Sequence, residues 1–235
     1  MGKLAWKALL ACIGACLLLV AAGYAFRLGK ERAVNHYLQT TYARKYSLAY
    51  VGGYFPDDTQ TYAVRLDDTD EPTFGVVLQG KEVIQDTYLL ECLAKEMMQD
   101  WADALYTIWG PCSVRLRLHA TQLSKTPLPD ASPIPLAELL PYVQSSQQSF
   151  YIQPDSMPEE AVAKEQLMKT KEFLASWNAS MGGDATWSGE IVCVGSAEEA
   201  GGFCLDANGQ MQALEVSANV LRIMQTNALH VPLQQ

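Results

Sequence analysis

Residues 46–78, YSLAYVGGYFPDDTQTYAVRLDDTDEPTFGVVL, decide the fold class of this chain. Tyr46 to Phe55, Thr61 to Leu66 and Thr73 to Leu78 are rich in aromatic and β-branched residues and alternate in polarity, the pattern of half-buried strands. Pro56-Asp57-Asp58 and the acidic run Asp67-Asp68-Thr69-Asp70-Glu71-Pro72 separate them with turn-forming residues, so the stretch reads as an antiparallel meander.

A meander needs a cover for its apolar face, and helical patterns flank it on both sides. Upstream, Val34, Tyr37, Leu38, Thr41 and Tyr42 recur at helical spacing, which predicts a short amphipathic helix lying on a sheet. Downstream, Leu89, Leu93, Met97, Trp101, Leu105 and Trp109 recur every four residues. Asp86 stands where it can cap that helix, and Gly110-Pro111 ends it. Its stripe is expected to pack on the meander. Val114 to Leu118 follows as a strand with Arg115, Arg117 and His119 on its polar face.

Pro127, Pro129, Pro133, Pro135 and Pro141 then fall within fifteen residues, stiffening the backbone and excluding a central strand, so a module boundary is placed here. Beyond it, Phe150 to Ile152 reads as a short strand and Ser156-Met157-Pro158-Glu159 as a capping box. The helix after it turns Ala163, Leu167, Leu174 and Trp177 inward and stops near Gly182-Gly183. Strands at Glu190 to Val194, Gly202 to Leu205 and Met211 to Val216 follow, the last two joined by the hairpin turn Asp206-Ala207-Asn208-Gly209. Ser217 to Asn227 fits a helix or an edge strand. The expected class is α+β: an N-terminal transmembrane helix followed by two small modules, each a helix packed on an antiparallel three- to four-stranded sheet. The expected divisions are a membrane anchor or signal segment at 1–27, a first module at 28–125, a Pro-rich connection at 126–148 and a second module at 149–235.

Ala8 to Phe26 carries no charged side chain, and nineteen residues at about 1.5 Å each span roughly 28 Å, the thickness of a bilayer core. Lys3 and Lys7 before it and Gly23-Tyr24-Ala25 within it also fit a cleaved export signal, which would leave a secreted protein. Retention is the expected outcome, because the run passes straight into Arg27, Lys30 and Arg32 without a polar spacer. A first apolar segment at this position acts as an export signal, so the globular part is expected outside the cytoplasm, anchored to the lipid bilayer through residues 8–26. Cys12 and Cys16 faintly echo a lipoprotein box, but the apolar stretch before either is too short. Net charge is −9; without Lys3 and Lys7, 15 basic residues face 26 acidic ones, a charge of −11. Such a surface excludes nucleic acid as a partner and disfavours adhesion to anionic lipid.

Glu31, Tyr37-Leu38 and Lys45-Tyr46, then Phe74-Gly75-Val76, Gly80 and Asp86-Thr87-Tyr88, resemble the YfjL-like proteins of Gram-positive bacteria, which are small, membrane-anchored and functionally uncharacterised. The resemblance covers roughly residues 31–110. It implies a localisation and a fold, with no activity to carry over.

Cys193 and Cys204 lie symmetrically about Glu198 and Glu199, so a hairpin of that register would let them face each other as a disulfide or as two reduced thiols. Cys92 and Cys112 could pair across the end of the long helix. No Cys-x-x-Cys spacing of a redox enzyme or zinc ribbon is present. His36, His119 and His230 show no ligand spacing, and Ser196 lacks the glycine that a nucleophile elbow needs. Asp67, Asp68, Asp70 and Glu71 read as a solvated acidic turn, since Thr73 and Gln79 stand where a calcium loop would need glycine and glutamate. Gly182-Gly183 and Gly201-Gly202 lack the context of a phosphate loop. Asn178-Ala179-Ser180 is a glycosylation sequon from which nothing follows.

No catalytic, cofactor or metal signature remains. The expected function is a non-catalytic binding module outside the cytoplasm that meets an envelope or membrane protein through a sheet face bearing Tyr50, Tyr54 and Tyr62. The alternatives are a regulatory or sensory protein acting through its transmembrane helix, and an envelope hydrolase using Glu190 or Asp184.

Overall fold

The computed structural model describes residues 2–54, 56–67, 71–119, 147–183, 186–196 and 201–231. The Pro-rich stretch 127–141, Phe55, Asp68, Asp70, Asp184, Glu198 and Glu199 lie outside the described residues, as do the side chains of Cys12 and His119. The elements are α1 (Gly2–Tyr42), β1 (Tyr46–Tyr54), β2 (Thr59–Leu66), β3 (Phe74–Gln79), β4 (Glu82–Asp86), α2 (Tyr88–Trp109), β5 (Cys112–His119), β6 (Gln147–Pro154), α3 (Glu160–Ser180), β7 (Glu190–Val194), β8 (Gly201–Leu205), β9 (Met211–Glu215), α4 (Ala218–Gln225) and β10 (Leu229–Val231).

The apolar run and the amphipathic segment are one continuous helix, α1, long and apolar enough to cross a membrane. Among the described side chains of its apolar run the protein supplies little cover: Leu17, Leu18, Leu19 and Val20 are 65–74% exposed. Beyond Phe26 the helix lays Val34 and Leu38, both fully buried, on the meander. The meander is the four-stranded antiparallel sheet β1-β2-β3-β4. Tyr62, Val64, Leu66, Phe74, Val76 and Leu78 point at α1, and the residues between them point away.

The second sheet has six strands in the order β10-β5-β6-β7-β8-β9. Strands β6 and β7 run parallel, joined through α3, and every other neighbour pair is antiparallel. Helices α2 and α3 cover one face with a core centred on Trp101, which meets Phe150, Trp177 and Trp187 edge-on at 5.2–6.1 Å. Helix α4 covers part of the other face, packing Met224 against Tyr151, Val192 and Val194.

Several expectations are corrected here. The sheets are larger than the strands read from the sequence: β4 adds a fourth to the meander's three, and the second sheet has six because β5, expected in the first module, and the short β10 join its four. The stripe of α2 is buried as read, but against β5 and β6 rather than the meander. Periodicity identifies the buried face of a helix and leaves its partner open. Strands β5 and β6, on either side of the Pro-rich stretch, pair along their whole length from Cys112–Pro154 to His119–Gln147. The capping box at Ser156 is not formed. Helix α3 begins at Glu160, because Pro158 holds Met157 extended and Met157 packs into the core, its sulfur 3.8 Å from Cys193 Sγ. The N-cap position of α2 is Thr87, whose side chain makes no capping bond, and not Asp86; from one residue earlier Asp86 Oδ1 accepts the Tyr88 N–H at 2.8 Å, and Gly110, at φ +71°, ends the helix. The turn at Asp206 closes as expected, with Gly209 at φ +80°. Ser217 to Gln225 resolves as a capped helix, the Ser217 hydroxyl accepting the Val220 N–H at 3.4 Å.

Candidate functional site

Where the two sheets meet, a cleft of about 860 Å³ opens. Its floor is the face of the meander turned away from α1, where Thr61, Ala63, Gly75, Val77 and Gln85 present small or neutral side chains. The facing wall holds Arg115 and Arg117 on β5, Glu91 at the start of α2, and Arg222 with Ile223 on α4. Residues 115 and 117 fall on the face of β5 opposite to the core residues Val114, Leu116 and Leu118 by strand alternation.

Arg115 is buried, 4% exposed. One guanidinium nitrogen donates to Glu91 Oε2 at 2.6 Å and another to the Leu116 carbonyl at 2.7 Å, while Nε has no partner. Glu91 Oε2 also accepts from Asn227 Nδ2 at 2.9 Å. Asn227, in the left-handed region at φ +57°, clasps Thr73 as well: its amide donates to the Thr73 carbonyl at 2.5 Å, and its Oδ1 accepts the Thr73 N–H at 2.8 Å. The clasp joins the meander, α2 and the C-terminal segment at the cleft rim. The guanidinium groups of Arg117 and Arg222 engage no carboxylate or hydrogen-bond partner among the described residues. Three arginines against one already-paired glutamate make a cationic cleft in an acidic chain.

A second polar cluster lies between α1 and the meander. Tyr37 and Tyr42 both donate to Asp86 Oδ2, at 2.7 and 2.6 Å, and Tyr88 Oη donates to Glu71 Oε2 at 2.5 Å. Burial first, then the adjoining carboxylates, pushes all three phenols well above the ordinary tyrosine range. Groups held protonated this firmly act as fixed donors and not as nucleophiles or bases.

The sequence-predicted residues are scattered by comparison. Tyr62 is fully buried under α1, its hydroxyl on Gln60 Oε1 at 2.7 Å and pushed up to about 12 by burial, so it is no surface residue. Tyr50 and Tyr54 are 45% and 61% exposed. Cys193 and Cys204 do not face each other: Cys193 pairs with Phe203 and Cys204 with Val192, a register one residue from the expected one, so their side chains leave the sheet on opposite faces and form no disulfide. Gly195 N–H closing on the Gly201 carbonyl at 2.9 Å sets that register. Cys92 and Cys112 form no disulfide either, and burial pushes each thiol up to about 12. Glu190 is exposed at the start of β7, and Glu71 serves Arg44 and Tyr88. His36 is exposed on α1, and His230 stands 3.4 Å from Ser113 on β10, far along the chain from it. Among the described residues no three His, Cys, Asp or Glu side chains are grouped to hold a metal.

Glu91, Arg222 and Asn227 were not singled out in the sequence. Asn227 lies 154 residues from Thr73 and 136 from Glu91, and no local pattern announces such a pairing.

No family model matches the chain, and no curated protein does. Among solved structures, a DUF5037 family protein from Ruminococcus gnavus is similar at 12% identity and a TM-score of 0.42, over 82% of this chain and 97% of that one.

Proposed function

We propose that this protein is a non-catalytic binding module held outside the cytoplasm by α1, and that its ligand sits in the cleft between the two sheets and carries an anionic group. One observation carries this reading. In a chain of net charge −9, the cleft gathers Arg115, Arg117 and Arg222, and two of those guanidinium groups have no partner among the described residues. Guanidinium forks match carboxylate and phosphate oxygens in geometry as well as charge.

Localisation is tested by protease treatment of intact cells together with the mass of the protein's amino terminus. Digestion of the globular part with the first 26 residues retained supports the anchored reading, and protection sinks it. For the cleft, the full chain in nanodiscs is titrated with succinate and with inorganic pyrophosphate. Saturable binding that is lost in Arg117→Ser with Arg222→Ser supports the site. Binding unaffected by the double substitution, or none at all, overturns it.

A second reading, regulation through the membrane helix, draws on the same geometry. Helix α1 holds Asp86 through Tyr37 and Tyr42, Asp86 accepts the N–H of Tyr88 at the start of α2, and Glu91 in the first turn holds Arg115. Exchanging residues 8–26 for an unrelated apolar helix removes signalling under this reading and leaves ligand binding intact under the first.

A further inference from the structure

The membrane-side end of the meander is built around the residue that follows the apolar run by one turn. Lys30 is buried, 3% exposed. Its ammonium donates to Asp58 Oδ2 in the β1–β2 turn at 2.7 Å and to the Gly80 carbonyl in the β3–β4 turn. The Gly80 N–H donates to the Asp58 carbonyl at 3.2 Å, so one cation gathers both turns. That same ammonium stands 4.9 Å from the centre of the Phe26 ring, and Phe26 is the last residue of the uncharged run. Both turns therefore lie at the level where the run ends.

Strand β1 gives the same height independently. Tyr46, at its start, donates to Asn35 Oδ1 at 2.8 Å, whereas Tyr50 lies under the Arg27 guanidinium, 5.3 Å away. The strand thus descends along α1 toward the apolar half, and it continues four residues further, to Tyr54. Tyr54 is 61% exposed, and on α1 Tyr24 and Phe26 are 64% and 49% exposed. Phe26 is thus about half exposed and the two tyrosines more so, and the contacts of Lys30 and Arg27 bring the turn that follows Tyr54 toward the level of Phe26. Tyrosine at that level of a membrane protein takes the interface, ring in the acyl boundary and hydroxyl among the headgroups.

We infer that the turn end of the meander rests on the bilayer that holds α1, with Tyr54 inserted at the headgroup boundary at the depth of Tyr24 and Phe26. This rests on the reading of α1 as a retained anchor. The occupant is the interfacial layer itself, engaged through aromatic rings; at the two turns Asp57 and Glu82 outnumber the exposed Lys81, so anionic headgroups gain no net electrostatic advantage there. The contact adds a second foothold, so the module is fixed in tilt and does not swing on its helix.

The test uses the full chain in phosphatidylcholine nanodiscs, with the photoreactive residue benzoyl-phenylalanine in place of Leu17, Thr40 or Tyr54, one at a time. Leu17 lies in the apolar half of α1, and Thr40 is exposed near its far end. After irradiation, intact-protein mass reports lipid adducts. Adducts at positions 17 and 54 with loss of the adduct at 40 are the expected result. An adduct at 17 with none at 54 overturns the docked sheet while leaving the anchor standing. No adduct at 17 overturns the anchor, and the inference falls with it. An adduct at all three positions shows labelling without regard to depth and also overturns the docked sheet. Far-ultraviolet circular dichroism of each variant checks that it is folded.

Discussion

The two sheets are built from strands of the same alternating kind and differ in what covers their second face. The six-stranded sheet is closed on one face by α2 and α3 and on much of the other by α4, which packs on Tyr151, Val192 and Val194. The meander is closed on one face only, by α1, and its other face carries Thr61, Ala63, Gly75 and Val77. A strand face that needs no partner can stay small and uncharged, and a face left open beside a second sheet becomes the floor of a cleft. The cores differ as well. The larger centres on aromatic rings that meet edge to face, whereas the smaller closes around phenols donating to Asp86.

If that difference is real, substitutions should grade along it. Trp101→Ala removes the side chain at the centre of the larger core and should cost about 3–5 kcal/mol, read as the urea midpoint of the full chain. A smaller loss would mean that the core can collapse onto the gap. Arg115→Ala leaves Glu91 without its cation and should cost about 3 kcal/mol, because an unpaired, partly buried charge is left behind. Replacing Glu91 and Arg115 together with Gln and Met should recover much of that loss. Tyr42→Phe deletes one donor to a buried carboxylate and should cost about 1.5 kcal/mol, with the six-stranded sheet unaffected in hydrogen exchange.

Alkali should separate the two regions by a different route. Phenols in the core between the meander and α1 are raised above the ordinary value of 10.0, Tyr62 to about 12 and Tyr37, Tyr42 and Tyr88 in the same direction. Above pH 10 the unfolded chain gives up these protons while the folded one keeps them, so folding binds protons and stability falls as pH rises. The contribution is complete below about pH 10 and declines toward pH 12 and above. Hydrogen exchange across that window should open the meander before the Trp101 core, and simultaneous loss would show that the sheets unfold as one. The smallest effect is expected for Arg117→Ser with Arg222→Ser, within about 0.5 kcal/mol, since neither side chain is paired among the described residues. A large loss of stability there would identify them as structural.

Much of the secondary structure is legible in the chain because it is written in local chemistry: the alternation from Tyr46 to Leu78, the four-residue stripe from Leu89 to Trp109, and glycines 110 and 209 at positive φ. Partnership is not local. Nothing near Trp101 says that it meets Phe150, and nothing near Lys30, which reads as a charge flanking an apolar run, says that it will be buried beneath two turns. The register of Cys193 against Phe203 depends on one residue in a loop. The cleft is least legible of all. Arg115 and Arg117 stand out as polar positions on a strand, but their neighbours Glu91 and Arg222 come from α2 and α4, distant in sequence from each other.

The clasp at Asn227 and the pairing of β10 with β5 also set an order of events during synthesis. Residues 227–231 supply both the fastening between the two sheets and the strand that covers the edge of β5 at Cys112 to Val114. Until they leave the ribosome, a nascent chain carries the sheet of β5 one border strand short, with five strands, and a meander without the Asn227 fastening. An unpaired border of that kind recruits strands from other chains. Products stalled before residue 226 should therefore be the species that quality-control proteases find first.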